Sequence, residues 1–160
     1  MQKILKKNVK HSITHDAEQS GEGRATLLRR WSVNLQQCAG QLDDATAIKE
    51  AMLCGCRNAG ANLRQQATEQ FLPHGVTVAM ILAESHYVVS TWPEHGFVTL
   101  DVAVCNPQLD LQLLVEPVID LLQPRRSDGS LQETDLQTGQ SRDSNCPVAL
   151  VAVPAGIGMV

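Results

Sequence analysis

The chain has 160 residues, which is enough for one domain with a modest core but too few for a typical two-domain enzyme. Its formal net charge of −4 at pH 7 argues against nucleic acid as the main partner, because nucleic-acid-binding proteins carry a clustered basic surface. The sequence contains no apolar run of the roughly 20 residues that a membrane-spanning helix needs. We therefore expect a globular protein with no nucleic-acid or membrane partner.

Five cysteines are spread along the chain without a recognisable metal-binding pattern. Cys38, Cys54, Cys56, Cys105 and Cys146 form no C-x2-C pair, and no histidine follows them at zinc-ligand spacing. The N-terminal segment is basic and lacks the long apolar stretch of a signal peptide. Together with an odd number of cysteines, this is typical of a protein in a reducing compartment. The sequence therefore predicts no metal site and a cytoplasmic location.

One strand and one helix are predicted in the first part of the chain. Residues 1–24 are polar and lack helical or strand periodicity, so they predict a flexible N-terminal arm. Residues 25–35 favour a first strand. Asp43 and Asp44 then provide a helix start, and apolar residues at helical spacing continue to a stop at Gly60.

The middle of the chain is predicted to be rich in strands. Runs of β-branched and alternating apolar residues predict strands at 62–71, 76–83, 86–91 and 97–105. The last two form a hairpin around the turn at 92–96. This turn predicts that Cys105 lies near Leu82 on the facing strand, about 10 Å along the strand from Ser85.

A second helix and one further strand are predicted after the hairpin. The helix covers residues 109–122, and Pro117 within it predicts a kink or an early end. An edge strand follows at 131–138. The sequence thus favours a single domain over residues 25–140 and a C-terminal tail over residues 141–160.

The order of these elements predicts an α+β fold, a two-layer sandwich of an antiparallel β-sheet with helices on one face. The strand at 76–83 is apolar on both of its faces, so the other face of the sheet must also be covered. In so short a chain, we expect a second copy of the chain to provide that cover.

Residues 71–97 concentrate the side chains that carry chemistry. Four of the five aromatic residues and three of the five histidines fall in this window. Glu84, Ser85 and His86 also lie there, in the middle of the predicted sheet, where polar residues are rare. The pattern alone favours hydrogen-bonded structural residues, and a Ser-His-Asp triad is not supported because Ser85 and His86 point to opposite faces of a strand.

A family resemblance favours a functional reading. Glu-Ser-His at 84–86, Trp-Pro-Glu at 92–94 and Cys105 occur at the spacing of one signature, and Leu-Asp-Asp precedes them at 42–44. With these motifs the chain resembles the bacterial and archaeal form of S-adenosylmethionine decarboxylase over roughly residues 25–125. The resemblance implies that family's fold and a homodimer of cleaved α/β pairs, with the active site where two protomers meet.

The resemblance also implies a self-processing proenzyme. Such a chain cuts itself between Glu84 and Ser85, and the serine becomes a pyruvoyl group, which is a covalent cofactor. That group forms a Schiff base with the amine of S-adenosylmethionine and draws off the electron pair left when CO₂ departs. The product is the aminopropyl donor for spermidine, in polyamine biosynthesis.

Individual roles follow from the same resemblance. Thr77 matches a hydroxyl that helps self-cleavage, and Cys105 matches the acid that returns a proton to the substrate. Phe71 matches the aromatic residue that stacks on adenine, and Glu94 matches the carboxylate that binds the ribose. Trp92 shapes the signature turn at the substrate site.

One position departs from the family pattern. Ser90 stands where the family carries a histidine that abstracts a proton during pyruvoyl formation, and a hydroxyl is a far weaker base. His86, which shares a strand face with Ser90 and orients the cleavage site, is our first candidate to replace that histidine. The loop histidines His74 and His95 are the others.

Two other functions remain open from the sequence. A pyruvoyl-dependent arginine or ornithine decarboxylase of the same fold is disfavoured by Phe71 and Glu94, because neither substrate has an adenine or a ribose. An uncleaved, non-catalytic partner subunit is the second alternative, and it is suggested by Ser90, which replaces the family histidine needed for pyruvoyl formation.

Overall fold

Seven strands and two helices make up residues 27–150, the part of the chain that the computed structural model describes. The strands are β1 (Leu27–Gln36), β2 (Leu63–Gln70), β3 (Val76–Leu82), β4 (Ser85–Trp92), β5 (Phe97–Val104), β6 (Arg126–Asp135) and β7 (Ser141–Asn145). The helices are α1 (Ala45–Ala59) and α2 (Leu111–Leu122), and a single 3₁₀ turn covers Pro93–His95. The predicted N-terminal arm, residues 1–24, lies outside the described residues.

The strands form one sheet in the order β2-β3-β4-β5-β1-β6-β7, and every neighbouring pair is antiparallel. Alternate side chains of the central strands are buried against both helices, as Val76, Val78 and Met80 of β3 illustrate. These apolar side chains form one core with residues of α1 and α2 such as Ile48 and Leu114. The predicted α+β sandwich is confirmed.

Both helices begin at an aspartate. The Asp44 carboxylate accepts a hydrogen bond from the amide of Ala47 at 2.9 Å, and Asp110 caps α2 in the same way. Pro117 lies inside α2, yet the helix continues to Leu122, so the predicted end at residue 122 is confirmed and, of the predicted kink or early end, the early end is wrong. Proline removes one backbone hydrogen bond, but burial of the apolar face of α2 against the core outweighs that loss.

The C-terminal part of the sheet differs from the prediction. β6 is longer than the predicted strand at 131–138 and lies between β1 and β7, so it is not an edge strand. β7 forms the edge instead, within the residues predicted as a tail. Its five residues are all exposed and polar, and a strand with no buried face leaves no alternating apolar pattern in the sequence.

A short segment after β7 closes the core on the helix side. The amide of Cys146 donates to the carbonyl of Gly129 at 2.8 Å, and the indole of Trp31 donates to the carbonyl of Cys146 at 2.6 Å. The side chain of Val148 is 4% exposed and belongs to the core. Residues 146–148 are therefore part of the packed fold.

The opposite face of the sheet is open in a single chain. Thr77, Ala79 and Ile81 of β3 alternate with the buried residues and point away from the helices, and Ile81 is 51% exposed. Within residues 27–150 no helix or strand packs on this open face. Neither helix in this range is long and apolar enough to cross a membrane.

Candidate active site

The β4–β5 hairpin places Cys105 beside Glu84. In the register of the two strands, Trp92 lies opposite Phe97 and Ser85 lies opposite Val104. The next backbone amide, that of Cys105, donates to the carbonyl of Glu84 at 3.1 Å. The sequence prediction that Cys105 lies near Leu82 is wrong by two residues. The 3₁₀ turn and the left-handed Gly96 occupy the whole connection, which sets a different register from the one assumed.

Ser85 has an unusual backbone conformation at the predicted cleavage site. Its φ is 141°, a value that residues with a side chain rarely adopt and that costs about 1–3 kcal/mol. This φ also breaks the regular alternation of the strand, so the Ser85 Oγ reaches Nδ1 of His86 at 3.3 Å. The sequence prediction that these side chains point to opposite faces is therefore wrong.

Glu84 is a buried carboxylate, only 7% exposed. Both of its oxygens accept hydrogen bonds from one residue, Asn62, which lies in the link between α1 and β2. The backbone amide of Asn62 donates to Oε2 at 3.2 Å and its side-chain amide donates to Oε1 at 2.9 Å. We call Glu84, Ser85, His86 and Cys105 the junction cluster.

Cys105 differs from the other cysteines in its exposure. Its side chain is exposed, whereas the other four free thiols are buried or half-buried. Burial raises the pKa of the Cys38 thiol to about 11, which leaves it protonated and inert. Cys105 is therefore the cysteine best placed to meet a substrate.

Thr77 and Ser90 form a hydroxyl pair at the other end of the hairpin strands. Their oxygens are 2.9 Å apart on neighbouring strands and on the open face. Ser90 is five residues from Ser85 along β4, which corresponds to about 17 Å. A single chain therefore does not bring the hydroxyl pair to the junction cluster.

His86 and Ser90 share a strand face, as predicted, but they are four residues or about 13 Å apart. The loop histidines His74 and His95 flank β3 and β4 at the Ser90 end of the sheet. His86 is thus the histidine in contact with Ser85 within one chain.

The signature turn lies at the same end as the hydroxyl pair. The rings of Trp92 and Phe97 are tilted by 54° with centroids 5.8 Å apart, and Trp92 is 39% exposed. Together with His95 they border an open cavity of about 560 Å³. Glu94 lies in the 3₁₀ turn between these aromatic residues.

Phe71 opens the loop between β2 and β3, and Asp43 holds this loop from the start of α1. One carboxylate oxygen of Asp43 accepts hydrogen bonds from the Gly75 amide at 2.8 Å and from the Gln70 side chain at 2.9 Å. The other oxygen lies 3.2 Å from Nδ1 of His74. Phe71 is 48% exposed, so its ring is accessible to a ligand.

These hydrogen bonds, first of all the one from the Gly75 amide, lower the pKa of Asp43 below its usual value. The ionised carboxylate of Asp43 therefore holds the loop. A carboxylate with a lowered folded-state pKa contributes its stabilisation above the usual pKa, and the contribution is lost as the pH falls through the lowered value. At neutral pH the loop is fully anchored.

The Asp43→Ala variant is expected to raise KM by about fivefold for a substrate that stacks on Phe71, because the loop loses the hydrogen bonds that position this ring. The value of kcat should change little. Steady-state kinetics measure both constants. Asp44→Ala is the matched control, because Asp44 caps α1 without touching the loop. Equal KM values in the two variants would contradict this role.

The sequence motifs identified the junction cluster, the hydroxyl pair and the signature turn. They did not identify Asn62, which lies outside every motif, and its contact with Glu84 arises from the pairing of β2 with β3. The sequence places Asp43 in a helix start and in a motif, but its contacts with the loop follow from the fold. Among residues 27–150 no group of three or more acidic, histidine or cysteine side chains is arranged to hold a metal ion.

Comparisons with known proteins point to one family. A sequence model of the family described as S-adenosylmethionine decarboxylase matches residues 29–132. A curated S-adenosylmethionine decarboxylase proenzyme from Brevibacillus brevis is 32% identical over 110 residues, which cover 69% of this chain and 80% of the relative. A proenzyme of the same name from Pseudomonas aeruginosa is 36% identical over 95 residues, 59% of each chain.

A solved structure has the same fold. The crystal structure of the adenosylmethionine decarboxylase from Aquifex aeolicus aligns with a TM-score of 0.61 and 30% identity, over 68% of this chain and 90% of that chain. The family match includes Ser85, Cys105 and the signature turn, and it ends before β7. On these grounds the chain belongs to the S-adenosylmethionine decarboxylase family.

Proposed function

We propose that the chain is a self-processing decarboxylase that acts on S-adenosylmethionine and supplies the aminopropyl donor for spermidine biosynthesis. The observation that carries this proposal is the junction between Glu84 and Ser85. Ser85 has a strained φ, and the carbonyl of Glu84 accepts a hydrogen bond from the Cys105 amide. Family membership supports S-adenosylmethionine as the substrate. The free thiols suit a reducing compartment, so we propose a cytoplasmic location.

Self-cleavage follows from the atoms at this junction. The Ser85 Oγ attacks the carbonyl carbon of Glu84, and negative charge develops on the carbonyl oxygen. The Cys105 amide donates to that oxygen at 3.1 Å, so a donor is already in place where the charge develops. Relief of the φ strain at Ser85 favours the same step.

The position of Ser85 suits a pyruvoyl group. Ser85 is the first residue of β4 and is exposed, so the new chain start is open to a substrate. A pyruvoyl group there supplies a carbonyl that binds the substrate amine and stabilises the charge left by CO₂. Cys105, whose amide touches the junction, is placed to return a proton to the α-carbon of the substrate.

The Cys105→Ala variant is expected to cut itself normally but to lose about 10²- to 10⁴-fold in kcat, the usual contribution of a general acid. The backbone amide that serves self-cleavage remains in this variant. Intact-mass measurement gives the fraction cut, and release of labelled CO₂ gives kcat. Cys146→Ala is the control, and a Cys105→Ala enzyme with the wild-type kcat would exclude the acid role.

We propose that the active protein is a homodimer of cleaved pairs in which a second copy covers the open face. Thr77 and Ser90 lie about 17 Å from Ser85 in one chain, so their hydroxyls serve the junction only if they come from the other chain. In a two-fold symmetric dimer the same contact occurs twice, so each chain can offer its hydroxyl pair to the other chain. Each junction cluster then meets the hydroxyl pair of its partner chain.

The substrate side chains support S-adenosylmethionine. Phe71, Trp92 and Glu94 lie at the hydroxyl end of the sheet, and together they offer aromatic faces and a carboxylate. Aromatic faces favour a cationic sulfonium, and a carboxylate can accept from ribose hydroxyls. Arginine and ornithine use neither the ribose contact nor an adenine platform.

We propose that His86 takes the proton that the missing family histidine would take. Its Nδ1 lies 3.3 Å from the Ser85 Oγ. The His86→Ala variant is expected to cut itself at least about a hundredfold more slowly, because a general base typically contributes 10²–10⁴. A time course of cleavage on denaturing gels measures the rate. Maturation at the normal rate would show that another group acts as the base.

One experiment tests the whole proposal. Intact mass of the purified protein should show two chains, residues 1–84 and residues 85–160, with a pyruvoyl start on the second. Carboxyl-labelled S-adenosylmethionine should release labelled CO₂, whereas labelled arginine and ornithine should not. A single uncut chain would support a non-catalytic partner subunit instead, and CO₂ from arginine or ornithine would support the other decarboxylase.

A further inference from the structure

We propose that Asn62 is a positioning residue for self-cleavage, which it aids by fixing the acyl side of the bond that breaks. This inference rests on the proposed cleavage between Glu84 and Ser85. Asn62 lies outside the sequence signature, and its side chain is exposed. Its contacts nevertheless converge on Glu84, the residue that supplies the carbonyl.

Three hydrogen bonds connect Asn62 to the residues before the junction. Its backbone and side-chain amides donate to the two carboxylate oxygens of Glu84 at 3.2 and 2.9 Å. Its carbonyl accepts from the amide of Ala83 at 2.8 Å. The register of β2 shifts just beyond this point, between Leu63 and Gln65, and such irregularities direct a strand end toward a site.

The Glu84 carboxylate depends on this residue. The side chain is 7% exposed, and the hydrogen bonds that it accepts within residues 27–150 both come from Asn62. No salt bridge to Glu84 is formed among the described residues. A buried carboxylate needs donors, so loss of the Asn62 side-chain amide leaves Oε1 of Glu84 without a donor and favours rotation of this side chain toward solvent.

Two anchors hold Glu84, one at its backbone and one at its side chain. Cys105 holds the carbonyl oxygen at 3.1 Å, and Asn62 holds the side chain. A strained φ such as that of Ser85 persists only where the surroundings hold it, and these two anchors hold the acyl half. Asn62 therefore favours the conformation in which the Ser85 hydroxyl faces the carbonyl carbon.

The covalent steps that Asn62 supports are balanced without an external oxidant. The Ser85 Oγ bonds to the carbonyl carbon as the peptide C–N bond breaks, and the hydroxyl proton ends on the freed nitrogen of Ser85. A base then takes the Cα proton of Ser85 and the Cβ–Oγ bond breaks, so that residue 84 leaves with a new C-terminal α-carboxylate that keeps the Oγ. Water supplies the new ketone oxygen and the nitrogen departs as ammonia. Asn62 exchanges no proton in any step.

The test follows self-cleavage of full-length chains over time in a cell-free translation reaction, with labelled chains separated on denaturing gels. We expect Asn62→Ala to slow cleavage by about ten- to a hundredfold, the effect of a lost hydrogen bond to a charged group. Asn62→Asp keeps the side-chain shape and should be slower still, because it adds a second carboxylate beside Glu84. Asn58→Ala, an exposed asparagine on α1, should cut like the wild type.

A structural role and a positioning role give different results. If Asn62 acts through the Glu84 side chain, Asn62→Ala has no further effect in a Glu84→Ala background. Turnover of the cut enzyme, counted per pyruvoyl group, should also equal the wild-type value. Wild-type cleavage rates in both Asn62 variants, or additive effects with Glu84→Ala, would overturn the inference. An uncut wild-type chain would instead refute the proposed self-cleavage itself.

Discussion

Replacement of Ser85 by alanine is expected to leave one uncut chain of 160 residues and no detectable decarboxylation. In the proposed mechanism the Ser85 hydroxyl is the nucleophile of self-cleavage and the Ser85 residue becomes the pyruvoyl group, so loss of the hydroxyl removes the whole catalytic apparatus rather than one contribution to it. Enzymes accelerate their reactions by about 10⁶-fold or more, and an enzyme without its electron-withdrawing group loses most of that factor.

Two further variants separate this loss from misfolding. Ser85→Gly also lacks the hydroxyl, but glycine adopts the positive φ of this position without strain, so it should fold at least as well and remain uncut. Ser144→Ala, on the exposed strand β7, should cut and turn over normally. Denaturing gels and intact mass report cleavage, and thermal melting reports folding. Two fragments from either Ser85 variant would refute the assigned cleavage site.

A mixture of two inactive variants is expected to regain self-cleavage. A Thr77→Val chain keeps its own Ser85 but lacks the hydroxyl that the junction needs, and a Ser85→Ala chain supplies that hydroxyl from its intact Thr77. If each junction uses the hydroxyl pair of the other chain, the mixed dimer has one complete site. With random pairing at equal amounts, about half of the Thr77→Val chains should be cut.

Co-expression of differently tagged chains makes this result measurable by intact mass. The control replaces the second chain by a Thr77→Val, Ser85→Ala double variant, which has neither group to offer, and no cleavage should follow. Thr77→Val chains that stay uncut beside Ser85→Ala chains would place the whole site within one chain. That outcome would conflict with the 17 Å or so between Ser90 and Ser85 along β4.

Most of the fold follows from local sequence. The aspartates that begin both helices, the glycine that ends α1 and the alternation in β5 each have a local physical cause, and the structure confirms these elements. β7 has no such cause in the sequence, because its exposed residues gain only backbone pairing with β6. Its existence depends on β6 being already in place.

The candidate site was predictable where it has a motif and unpredictable where it depends on register. Ser85, Cys105 and Glu94 are read from the signature at once. The contact between Cys105 and Glu84 required the true hairpin register, which the four-residue connection over residues 93–96 sets two residues away from the predicted one. Asn62 and the loop contacts of Asp43 come from residues distant in sequence that the sheet brings together.

The strand order ties the two products of the proposed cleavage to each other. Residues 1–84 contribute β1, β2, β3 and α1, whereas residues 85–160 contribute the remaining elements, and β1 is inserted between β5 and β6. Neither piece has a complete sheet, so the chain must fold before it cuts. After the cut, unfolding of the protein releases two separate chains, and these must associate in a bimolecular step before they can refold. The apparent stability of the mature protein should therefore fall on dilution, and this effect adds to that of any dissociation of the dimer.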